Sequence, residues 1–108
     1  MESRTFVINI DGTICLSVVG KYEKAELIKE KIEFINLLFE QENTNLFLTA
    51  RGMGSSDNDI DVAKKRWFSF TVNQLHFWGV KYHLLYFGKS AGDLYIDVKA
   101  ISDLVFFS

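Results

Sequence analysis

Three short apolar runs separated by two long helical stretches constrain this chain more than any other feature. Residues 5–10 are β-branched and apolar and open into Asp11-Gly12, residues 46–50 are apolar without alternation, and residues 83–87 are of the same type. Such runs are strands entering turns, and the missing alternation in 46–50 predicts a strand covered on both faces. Residues 25–41 place Ile28, Ile32, Ile35 and Phe39 on one helical face and Glu26, Lys29, Glu30 and Glu33 on the other, and polar Glu42-Asn43-Thr44-Asn45 ends that helix. From Asp59 to Trp78 helical residues dominate again. A break is expected at Phe68-Ser69-Phe70-Thr71-Val72, with Thr71 capping a second helix and Gly79 stopping it. Residues 94–96 predict a short fourth strand.

Strands alternating with helices form a parallel sheet whose right-handed crossovers bring all strand C-termini to one edge. The expected fold is therefore α/β, a Rossmann-like three-layer sandwich around a small, mostly parallel sheet. With 108 residues the chain is expected to form a single domain, residues 1–108. Hydrophobic residues at 48% exceed what a disordered chain carries.

Charge and composition narrow the partners. A net charge of −2 gives no long-range pull on a polyanion, so neither nucleic acid nor an anionic membrane is an expected partner, and Lys64-Lys65-Arg66 beside Trp67 is too short a basic run to change that. The longest apolar runs fall far short of the roughly 20 residues that span a bilayer. Met1-Glu2-Ser3-Arg4 has no signal-peptide form, and the lone Cys15 has no partner within the chain for a disulfide, so a cytoplasmic setting is expected. Cys15 lies between Ile14 and Leu16, with His76 and His83 distant in sequence, and reads as an inert core thiol.

Polar residues fall where the strands end. Asn9 and Asp11 follow the first strand, Thr49 closes the second, Lys89 follows the third and Asp97 the short fourth. Each residue type alone is ordinary at a turn. Gathered at the edge where α/β sheets bind ligands, they suit an anion and a hard divalent ion: hydroxyl, ammonium and backbone amides for a phosphoryl group, carboxylates for the metal.

In order, Asn9-Ile10-Asp11-Gly12-Thr13, Leu48-Thr49-Ala50-Arg51, Gly88-Lys89 and Asp93-Leu94-Tyr95-Ile96-Asp97 resemble the four motifs of the haloacid dehalogenase-like (HAD) phosphatases. The stretch 14–24 is too short for an inserted cap domain and admits only a flap at 18–22. The chain is most similar to small capless members associated with capsule or polysaccharide biosynthesis. The resemblance implies that position 9 attacks phosphorus and ligates Mg²⁺, that Asp11 is general acid and base with its backbone carbonyl on the metal, and that Asp97 is a further Mg²⁺ ligand. It also implies that Thr49 and Lys89 hold the phosphoryl oxygens, with the amides around Gly12 as an anion nest. The implied ligand is a small phosphorylated substrate such as a sugar phosphate.

Asn9 stands where that family keeps its nucleophilic aspartate. A neutral amide does not form an acyl phosphate, so covalent turnover should be disabled or impaired while phosphate binding persists. A native asparagine gives a pseudophosphatase, and an introduced one gives a substrate trap. Val98 and Ser90 are lesser departures, replacing a second aspartate and a proline frequent in relatives. A capless site is open, which suits an exposed phosphomonoester or shielding by a homo-oligomer or an associated biosynthetic enzyme. The alternative class is a non-catalytic phosphate-binding or interaction module beside a sugar-activating enzyme. Trp67, Phe68, Phe70, Phe77 and Trp78 are expected mainly to pack on the sheet.

Overall fold

The computed structural model describes residues 2–18 and 20–108. In chain order the elements are β1 (Thr5–Ile8), β2 (Cys15–Leu16), β3 (Glu26–Leu27), α1 (Lys29–Glu40), β4 (Thr44–Thr49), α2 (Ile60–Phe77), β5 (Leu84–Phe87) and α3 (Asp103–Phe106). Short 3-10 turns occupy Tyr22–Lys24 and Gly54–Ser56. β1, β4 and β5 form a parallel sheet in that spatial order, with Val7 opposite Leu46 and Leu46 opposite Leu84.

Burial along β4 alternates. Asn45, Phe47 and Thr49 are fully buried, and Leu46 and Leu48 only partly. Ile32 and Ile35 of α1 and Leu75 of α2 meet Phe47 on that one face, in a core shared with Ile8, Ile10 and Ile14. Burying each such side chain contributes about 1.5–3 kcal/mol. α3 joins on the same side, where Phe106 lies 5.5 Å from Phe6 and 5.4 Å from Phe34, and Lys31 reaches Asp103 at 3.4 Å. The opposite face leaves Val7, Leu84 and Tyr86 exposed.

The sheet is thus covered on one face by the described residues, and the molecule has two layers instead of the expected three. The reason is topological. The strand order β1-β4-β5 steps in one direction, so two right-handed crossovers place both connecting helices on the same face. A third layer needs a strand on the far side of β1, and residues 94–96 do not form one: Leu94 and Ile96 are exposed at 81% and 94%. A parallel return from β5 takes a dozen or more residues, and the chain between Phe87 and Leu94 is about half that.

Two helix expectations also change. α1 begins at Lys29 because Glu26 and Leu27 pair with Leu16 and Cys15 in an antiparallel ladder, and Ile28 donates to the Ile14 carbonyl at 2.9 Å. α2 runs without the predicted break over 18 residues, capped by Asp59, whose side chain accepts the Val62 N–H, and ending before Gly79 at φ +71°. Phe68 packs near Phe87 and Phe70 near Trp67, and Thr71 is buried, so packing overrides the poor propensity of this stretch. Phe68 packs on the sheet and Trp78 against the core as expected, whereas Trp67 packs on Tyr22, Phe70 on Trp67, and Phe77 is 87% exposed. No helix of the described residues is long and apolar enough to cross a membrane. The flap expected at 18–22 includes Val19, which lies outside the described residues; Tyr22 is buried and leads into its 3-10 turn.

Candidate functional site

The three parallel strands deliver Asn9, Thr49 and Lys89 to one edge. Thr49 is level with Phe87, and the Lys89 N–H donates to the Thr49 carbonyl at 3.1 Å, so the pairing of β4 and β5 continues into the loop and fixes Lys89 beside Thr49.

After β1 the chain turns tightly. Thr13 and Ile14 N–H groups donate to the Ile10 carbonyl, and Gly12, at φ +81°, donates to the Cys15 carbonyl at 2.8 Å. The Gly12 amide is therefore spent within the turn and does not join the expected anion nest. Asn9 Nδ2 donates to the Asp11 carbonyl at 2.7 Å and to Thr13 Oγ1 at 3.1 Å. A carbonyl only accepts, so the nitrogen end of the amide must face it.

Asp11 is held by a group that the motif reading passed over. Arg51 Nε meets Oδ2 at 2.9 Å and Arg51 Nη2 meets Oδ1 at 3.0 Å, a bidentate fork, while Ser17 donates to Oδ1 at 2.5 Å. The Arg51 side chain is fully buried; its Nη1 donates to Thr71 Oγ1, and its guanidinium lies 4.9 Å from the centre of the Tyr22 ring. Gly52, at φ +75°, brings the following turn against α2, where a Cβ would meet Trp67 Cδ1 at 2.8 Å. Both Asp11 oxygens thus accept from protein donors. The carboxylate is a structural partner of Arg51.

Thr49 is buried, and its hydroxyl oxygen accepts the Arg51 N–H at 3.1 Å, which braces the turn. Lys89 is half-buried, and burial pushes its ammonium pKa down. Its Nζ lies 4.2 Å from the Tyr95 ring centre, and among the described residues no carboxylate forms an ion pair with it. A partly desolvated cation lacking a carboxylate partner favours an anion. Cys15 is buried, and desolvation raises its thiol pKa, with Ser17 pulling the other way, in keeping with an inert thiol.

Asp97 is not brought to the crevice by a strand. It is exposed, and its Oδ1 accepts the Lys99 N–H at 2.9 Å. As arranged, the residues do not fit a bound Mg²⁺: an N–H donor faces the carbonyl that would ligate it, Asp11 is engaged by Arg51, and Asp97 turns to its own loop. Beside the Arg51 turn, a cavity of about 240 Å³ is lined by Gly20, Tyr22, Gly54, Ser55, Arg66 and Trp67.

No protein-family model and no curated protein matches the chain. One solved structure does. A structural-genomics target from Vibrio cholerae, which bears no functional name, is similar with a TM-score of 0.88 at 19% identity, over 97% of this chain and 88% of its own. That likeness shows the fold alone.

Proposed function

We propose that this chain is a HAD-like phosphatase scaffold that binds a small phosphomonoester, such as a sugar phosphate, with covalent turnover disabled at Asn9. The observation that carries this reading is Lys89, a half-buried ammonium at the C-terminal edge of a parallel sheet with no carboxylate partner among the described residues. Ligands bind α/β sheets at this edge, and a phosphoryl group supplies the missing charge. The order of the four motifs supports the same assignment. Turnover is lost because position 9 presents a neutral amide, whose oxygen has delocalised lone pairs and no full negative charge with which to attack phosphorus.

The family's Mg²⁺ belongs to the active phosphatase form of this scaffold, with a carboxylate at position 9. A second reading, an interaction module that docks on a polysaccharide-biosynthesis enzyme, draws on the exposed sheet face around Val7, Leu84 and Tyr86. Both readings retain a phosphate site.

Calorimetric titration with inorganic phosphate and with a panel of sugar phosphates tests the binding. Saturable binding of the esters in competition with phosphate, weakened about tenfold or more in Lys89→Met, is expected. Absence of binding to every phosphorylated ligand in a folded protein would contradict it.

A further inference from the structure

We propose that the crevice takes its phosphoryl group without a divalent cation, the Asn9 side-chain NH₂ standing where a cation would otherwise bridge. This inference rests on the phosphate-binding reading above and concerns what neutralises the site.

Asn9 Nδ2 lies 2.7 Å from the Asp11 carbonyl oxygen and 3.1 Å from Thr13 Oγ1. With aspartate in the same rotamer, a carboxylate oxygen would sit against a carbonyl oxygen at hydrogen-bond distance with no proton between them. Two acceptors that close need a proton or a cation between them, and oxygen ligands of both kinds suit a hard divalent ion. The asparagine removes that need by supplying the proton itself. Nδ2 has two protons, and the two acceptors use both.

Charge points the same way. The Asp11 carboxylate is already matched by the fully buried Arg51, and Lys89 adds a positive charge with no carboxylate paired to it. Asp11 and Arg51 cancel, so Lys89, held at the next strand end beside Thr49, leaves this sheet edge with a net positive charge from these three side chains. Such a site repels a dication and attracts an oxyanion, and a dication entering it would have to break the Asn9 contacts without gaining a free carboxylate.

The test is a titration of inorganic phosphate into the full chain, in EDTA and again in excess Mg²⁺, with Asn9→Asp run alongside and thermal denaturation to confirm that both are folded. For the chain itself the two phosphate affinities should agree within about twofold, and Mg²⁺ alone should give no binding heat. In Asn9→Asp, Mg²⁺ should bind, and phosphate affinity should rise about tenfold or more when Mg²⁺ is added. Tightening of the unsubstituted chain by about tenfold with Mg²⁺ would overturn the inference and leave the phosphate-binding reading standing. Absence of phosphate binding in both buffers would overturn the phosphate-binding reading, and this inference with it. Should Asn9→Asp fail to fold, the two titrations of the unsubstituted chain decide the matter by themselves.

Discussion

At Asn9 one atom separates a carboxylate from a hydrogen-bond donor, and its neighbours use the donor. The neutral amide is plain from the sequence; its two hydrogen bonds were not, since they depend on the turn bringing the Asp11 carbonyl and Thr13 back over it. Arg51 was harder to read. An arginine in a glycine-rich loop is ordinarily solvated, and only the docking of that loop on α2 buries it against Asp11, Tyr22 and Thr71. Arg51→Ala should cost about 3 kcal/mol in urea denaturation, since it strands a partly buried carboxylate. Arg51→Lys should recover less than half of that loss, because an ammonium does not reproduce the fork. The double variant Asp11→Asn, Arg51→Met should be more stable than Arg51→Ala.

Cys15 makes a prediction about pH. Burial raises its thiol pKa, so the folded chain holds the proton more firmly than the unfolded chain. Its contribution to stability is complete below the ordinary thiol value of about 8.5 and is lost as pH rises through the raised folded value. The stability difference between the chain and Cys15→Ala should therefore shrink from about pH 7 to about pH 10, as read from paired urea midpoints. A difference that grows with pH would contradict the assignment.

Among the elements, the strand–helix alternation was legible because period and length mark each piece separately. Interruptions were read less well. Phe68-Ser69-Phe70-Thr71 looks like a helix break by propensity, yet Phe68 and Phe70 each gain an aromatic neighbour and Thr71 a buried partner if the helix continues. Conversely, Leu94-Tyr95-Ile96 looks like a strand but pairs with none, and the short connection after Phe87 rules out a parallel return. The Gly52 turn offers a sharp test of how α2 seats the Arg51 loop. Gly52→Ala adds a clash with Trp67 and Ala63 to an unfavourable backbone conformation and should cost about 2 kcal/mol or more. Gly79→Ala has the same sign of φ with open space around it and should cost only about 1 kcal/mol, which differential scanning calorimetry will separate.

For the molecule as a whole, the one-sided sheet is the main departure from expectation. Reading 46–50 as covered on both faces followed from its unbroken apolar composition, but an apolar side chain records tolerance of burial, not the presence of a covering layer. Leu46 and Leu48 lie on the thinly covered face, and Val7, Leu84 and Tyr86 beside them are exposed. Val7→Thr should therefore change stability by no more than about 0.5 kcal/mol, whereas Phe47→Ala on the covered face should cost about 3–5 kcal/mol.

³¹P NMR of a sugar phosphate mixed with the chain reads binding and turnover at once. The ester resonance should shift or broaden saturably as protein is added, Lys89→Met should need about tenfold more protein for the same effect, and no inorganic phosphate signal should grow over time. An ester resonance that ignores the protein, or a growing phosphate signal with Asn9 in place, would contradict binding without turnover.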